Sequence, residues 1–246
     1  GRRMAYTLNF PAPYGNEYTI SLPQASDRFS GAAAKFVPFE ASFQSRERAF
    51  AYIGIDGDEQ GRLMLYNLST QSSIALTPKD WTVLDFKPYT QGDRILFAAV
   101  DSQLGGQQTQ QLYTVTTGLG NRPAPSGQIE TILDSDGYQN LKFDLSADGQ
   151  TIVAQRVNRS NPGDFGPWVI TQGEAPRRLE TEPGGDFIIA PDSQSLLLQQ
   201  GEGTAIIAMS DAENEQSGDT LDFLPQYGLV MDVAGNGSAA AMVSFN

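Results

Sequence analysis

Four aspartates stand next to the same kind of apolar residue at well-separated points of the chain. Asp85 precedes Phe86, Asp186 precedes Phe187, Asp144 follows Phe143 and Asp232 follows Met231. In a β-strand the residues on either side of an apolar anchor point to the opposite face, so these acids are expected to share a face turned away from the core. A ring of carboxylates there would bind a cation or a sugar, and a pair about 5–9 Å apart would hydrolyse a glycoside. General-acid work also needs a pKa raised by burial or by a like charge. The plainer employment is structural, with each aspartate accepting hydrogen bonds from backbone amides of neighbouring loops. Asp85, Asp144, Asp186 and Asp232 are therefore a candidate ligand site, and no residue is assigned as catalytic, cofactor-binding or metal-ligating. The two tryptophans, Trp81 and Trp168, are the large surfaces on which a sugar ring would stack.

Most other chemistry is excluded by composition. The chain has no histidine and no cysteine, which removes thiolate nucleophiles, Ser-His-Asp triads and thiolate metal sites. Any catalysis falls to carboxylates, Tyr, Lys or Ser. The run Asp56-Gly-Asp58-Glu-Gln60-Gly61 resembles the start of a calcium loop, but Gln60 stands at its fifth position and Asn67 where the closing Glu belongs. It reads as the polar tip of a hairpin. Ser146-Ala-Asp148-Gly149 likewise reads as a turn.

A net charge of −13 and a sequence pI near 4.3 oppose binding to nucleic acid or to an anionic membrane. The basic pairs Arg2–Arg3, Arg46/Arg48 and Arg177–Arg178 are isolated from one another. No apolar run reaches the length of about 20 residues needed to span a bilayer. Gly1 followed by Arg2-Arg3-Met4 has the look of a scar left by tag removal, and an upstream export or anchor segment is expected to have been trimmed.

What must position the aspartates is a repeat. An apolar strand, a polar turn with Asp or Asn and a second apolar strand appear as Phe143…Asp148-Gly149…Ile152-Val-Ala. The same pattern returns as Phe187…Asp192-Ser193…Leu196-Leu-Leu and Met231…Asn236-Gly237…Ala240-Ala-Met. The anchors of these three copies are 44 residues apart in each case. A fourth copy starts at Phe86 with Gln91-Gly92 in its turn, and a looser fifth runs from Phe36 into Ala49-Phe-Ala-Tyr. Asp-Gly and Asn-Gly supply the positive φ of a tight hairpin. Each strand pair a–b, except the last, is followed by a third segment: Leu65–Leu68, Leu112–Val115, Trp168–Ile170, Ile206–Met209. A fourth ends on leucine: Ile74–Leu76, Thr131–Leu133, Arg178-Leu179, Asp222–Leu224. Four strands at this period is a β-propeller blade.

The last a–b pair has no third and fourth strand, while the N-terminus opens with Ala5–Leu8 and Tyr18–Leu22, which match the c and d patterns; Leu22-Pro-Gln even repeats Leu224-Pro-Gln226. The expectation is a single all-β domain over 1–246, a five-bladed propeller of four-stranded blades. Blade 1 covers about 35–79, blade 2 about 82–134, blade 3 about 139–181 and blade 4 about 185–226. Blade 5 joins 229–246 to 4–24, so that N-terminal c–d strands complete C-terminal a–b strands and leave no open seam. Strand a is innermost in a propeller, which would make the four aspartates channel-lining. Tyr6–Leu8 should then pair with the strand at about Ala239–Val243.

The a–b segments resemble the PD40 repeats of TolB-like propellers, which are WD40-like; Ser146-Ala-Asp148-Gly149-Gln-Thr-Ile152 and Ala190-Pro191-Asp192-Ser193 match best. Leu65-Tyr66-Asn-Leu68 with Ile74-Ala-Leu76-Thr77-Pro78 is similar to that family's outer strands. The resemblance implies an exported protein, frequently a periplasmic binding partner, although TolB itself carries an extra α/β domain and six blades. From these readings the chain is expected to be a non-enzymatic extracytoplasmic binding or scaffolding propeller, monomeric and without a cofactor. It would meet a protein or glycan at a loop face and bind no nucleic acid. A carboxylate-dependent glycan-hydrolysing or glycan-binding propeller is the alternative. The variable b–c loops, Gly105–Gln108 and Asn158–Gly166, are where specificity would reside.

Overall fold

The computed structural model describes residues 4–9, 17–22, 28–29, 35–36, 49–55, 61–67, 70, 72–101, 109–119, 125–133, 136–201, 203–209, 217–225, 229–233 and 240–243. Strands and turns account for the regular structure of these residues, with no helix among them. They divide into two compact units, 1–134 and 135–246.

The first unit holds two complete sheets. One contains β5 (Ala49–Ile55), β6 (Gly61–Asn67) and β7 (Ser72–Ala75); its innermost position is shared by two short pieces, β3 (Arg28–Phe29) and β4 (Lys35–Phe36), both laddered to β5. The second runs β8 (Trp81–Pro88), β9 (Arg94–Asp101), β10 (Gln111–Thr116), β11 (Ile129–Leu133). All the ladders are antiparallel meanders, the arrangement that short turns between consecutive strands dictate. The core between the two sheets is made of alternate residues: Ala51, Ile53, Leu63 and Leu65 from one, Val83, Phe86, Phe97 and Val115 from the other. Gly61 permits their approach, since a Cβ there would lie 2.7 Å from Ile53 Cγ2 and 3.1 Å from the Val83 carbonyl oxygen.

The second unit repeats the plan. Its first sheet runs β12 (Tyr138–Leu145), β13 (Thr151–Asn158), β14 (Phe165–Thr171), β15 (Arg177–Arg178), and the next β16 (Phe187–Ile189), β17 (Ser195–Gln200), β18 (Gly203–Ala208), β19 (Thr220–Leu224). Val153, Val169 and Leu179 meet Phe187, Leu196, Leu198 and Ile207 between them. Strand sides that face this core read as apolar at every second position, which is why the pleat buries them.

The hairpin turns between a and b strands form as their sequence demands. Gly149 takes a φ of 73° and donates its N–H to the Ser146 carbonyl oxygen at 2.9 Å. Ser193 holds the equivalent place in the next copy with a φ of 60°, a conformation that glycine adopts without strain. Asp148 Oδ1 accepts the Ser146 hydroxyl at 2.6 Å and the Gln150 N–H at 2.9 Å. Asp192 accepts the N–H groups of Gln194 and Ser195 and the Ser195 hydroxyl. Burial pushes the Asp192 carboxyl up, and those donors outweigh it, so its pKa falls below the usual carboxylate value.

At the ends of the chain, β1 (Met4–Asn9) ladders with β2 (Glu17–Leu22) in a two-stranded sheet of the first unit, and β20 (Leu229–Val233) with β21 (Ala240–Val243) in one of the second.

Bulges are the main feature absent from the sequence reading. The β8–β9 register shifts between Val83 and Asp85, and the β12–β13 register between Asn140 and Lys142. The extra residue in each is a leucine, Leu84 and Leu141, pushed out to 45% and 50% exposure.

Candidate functional site

Each bulge sets the direction of the acidic or basic side chain that follows it. In the first unit, Asp85 lies opposite Ala98 just past the β8 bulge, is exposed, and accepts the N–H of Phe86 on Oδ1 at 2.7 Å. In the second, the β12 bulge is followed by Lys142, whose Nζ lies 2.6 Å from Asp186 Oδ1 and 5.5 Å from the centre of the Phe187 ring. Asp186 is thus ion-paired across two neighbouring sheets. Both side chains remain more than a third exposed, so water screens the pair.

Asp144 is placed differently. It is buried, at 7% exposure, and both its oxygens hold backbone amides. Oδ1 accepts the N–H of Leu145 at 2.9 Å and Oδ2 accepts the N–H of Ile189 at 2.8 Å, in the next sheet. Strand alternation explains why these amides need it. The Ser146 and Ala190 N–H groups turn back into their own ladders, to the carbonyl oxygens of Thr151 and Ser195 at 2.8 Å each. The amides one residue earlier therefore point away from the ladder, and the carboxylate receives them. A third link at the same junction is the Gln155 Nε2 hydrogen bond to the Gly184 carbonyl oxygen at 3.0 Å.

The structure accordingly brings Asp144 and Asp186 to one junction between innermost strands, where each is held by a different donor. Asp232 lies in β20 opposite Ala241, and its side chain is outside the described residues. Asp85 belongs to the other unit. No group of three or more acidic residues among the described ones is arranged to hold a metal ion. Asp56 to Gln60 and Gly105 to Gln108 lie outside the described residues.

Both tryptophans are half-buried and packed against neighbouring rings. Trp81 packs on Tyr113 with ring centres 4.6 Å apart and on Phe97 at 6.3 Å, against the core of the first unit. Tyr113 is buried there and donates its hydroxyl to Gln111 Oε1 at 2.6 Å. Burial, with a smaller push from the Asp101 charge, raises its phenol to about 12. Trp168 packs edge-on to Tyr138 at 5.5 Å, and the guanidinium of the buried Arg156 lies over both rings, 4.7 Å from Tyr138 and 5.0 Å from Trp168.

A second polar constellation escaped the sequence reading. Asp164, at the end of the 158–164 loop, accepts the Tyr138 hydroxyl at 2.9 Å, the Asn158 amide at 3.1 Å and the Arg178 guanidinium at 2.7 Å. The Asn158 and Tyr138 hydrogen bonds, then the Arg178 charge, hold its carboxyl below the usual carboxylate range against the cost of burial. Asn158 Oδ1 also accepts the N–H groups of Ser160 and Asn161. The loop is therefore tied at its base, while residues 159 to 163 are exposed. Its Asn, Pro and Gly content announced a loop; nothing in it announced that Asp164 would be the knot, because Tyr138 and Arg178 are distant in sequence.

Four-stranded meanders, repeated with inner strands linked from one sheet to the next, are what a propeller requires. Among solved structures the chain is similar to TolB from Acinetobacter baumannii, at 14% identity and a TM-score of 0.50, over 83% of this chain and 49% of that one. The fold is that of a TolB-like β-propeller. An oligogalacturonate lyase from Vibrio parahaemolyticus is a looser match, at 12% identity and a TM-score of 0.47, over 90% of this chain and 58% of that one. No protein-family model and no curated protein matches the sequence. The TolB-like fold covers about half the length of the Acinetobacter protein, and at 14% identity the likeness concerns the fold alone.

Proposed function

We propose that this TolB-like propeller is a non-enzymatic, extracytoplasmic binding or scaffolding module that meets a protein or glycan partner through its loops. The observation that carries the reading is the employment of Asp144. A buried carboxylate whose two oxygens each accept a backbone amide is fixed in place by the scaffold and serves to join two sheets. Asp186, paired with Lys142, is likewise engaged by the scaffold. The loop tied by Asp164 is the kind of stiff, exposed segment that loses little entropy on binding. A location outside the cytoplasm rests on the TolB-like repeats, and none of the described residues forms a helix able to cross a membrane.

The test is an assay for new reducing ends on a panel of soluble polysaccharides, run with the wild type and with Asp85→Asn and Asp186→Asn. No release is expected from any of the three. Release by the wild type that vanishes in either variant overturns the proposal in favour of a carboxylate-dependent glycan hydrolase.

The five-blade count belongs to the same proposal. On this reading the β1–β2 and β20–β21 hairpins, each a two-stranded sheet, are the halves of one four-stranded blade; the complementary c–d and a–b patterns of the sequence support it. Because the chain lacks cysteine, a Thr7→Cys, Ala241→Cys double variant reports on closure directly. A short bifunctional maleimide should cross-link it within the monomer; failure to do so under native conditions, with both thiols reactive, removes the closed fifth blade.

A further inference from the structure

We draw no further inference here: the strongest candidate, the surface patch on the outer strand β19 where Leu221 and Phe223 are 40% and 46% exposed, is an apolar sheet edge and nothing in the structure shows what covers it.

Discussion

Replacing Asp144 with alanine should be among the most damaging single changes at an acidic residue of this protein. The substitution leaves the N–H groups of Leu145 and Ile189, both in residues under 9% exposed, without the carboxylate that receives them at 2.9 and 2.8 Å. An orphaned buried donor costs about 1–3 kcal/mol, so two cost about 2–6 kcal/mol. Removing a buried charge returns part of that, which leaves a net loss of about 2–4 kcal/mol. For a chain of 246 residues each kcal/mol moves Tm by about 2–4 °C, and the expected fall is about 5–15 °C. Thermal unfolding followed by circular dichroism measures it, with Asp186→Ala as the internal contrast. That variant deletes a screened ion pair worth about 0–1 kcal/mol and should lose no more than about 4 °C. If Asp144→Ala falls by less than about 2 °C, or no further than Asp186→Ala, the carboxylate is not what joins the two sheets and the argument against its chemistry fails with it.

Three further outcomes are expected. In a spectrophotometric titration, one of the nine tyrosines should ionise near 12, and Tyr113→Phe should remove that late step. Because the folded value is the higher one, Tyr113 stabilises the fold below pH 10 and that contribution is lost as pH rises from about 10 to about 12. For Asp164 the folded pKa is the lower one, so its contribution is present above the ordinary value of 3.8 and disappears as pH falls through the folded value. Asp164→Asn should accordingly be less stable than the wild type at neutral pH, and the gap in Tm should close in acid; a gap that persists in acid would contradict this. Ser193→Gly should stabilise the protein, by about 0.5–1 kcal/mol in urea unfolding, by relieving a φ of 60° that the homologous turn fills with Gly149.

How much of this was readable beforehand divides along physical lines. The strand pairs were legible because hairpins are local: Asp148-Gly149 and the apolar alternation around it specify a turn and a face within a dozen residues. The four-strand grouping followed from its recurrence, and the structure shows it in all four complete sheets, with the innermost strand of the first split into β3 and β4. Bulges were not legible. The leucines that they expel, Leu84 and Leu141, look in sequence like ordinary core residues, and only the ladder shows the extra residue. The aspartates were found by spacing, yet spacing alone could not say which of them is buried. Asp186 precedes its anchor and Asp144 follows one, both on the face opposite it, and their fates diverge because one side chain meets a lysine and the other amides. Asp164 and Arg156 were missed for the same reason, since their partners are brought to them by neighbouring strands rather than by the local sequence.

The bonds that tie β12–β15 to β16–β19 share one property. Asp144 reaches Ile189 across 45 residues, Lys142 reaches Asp186 across 44, and Arg177 reaches the Met209 carbonyl and the Ser217 hydroxyl across 32 and 40. Each spans about one repeat and no more. A nascent chain leaving the ribosome or a translocation pore would thus need only one additional blade in hand before these links could close. At a synthesis rate of about 5–20 residues per second, that is a wait of seconds, during which the blade already made is laddered internally and exposes only the face its successor will cover. Sequential growth of this kind keeps exposed apolar sheet faces few and short-lived, which limits aggregation while the protein is being made.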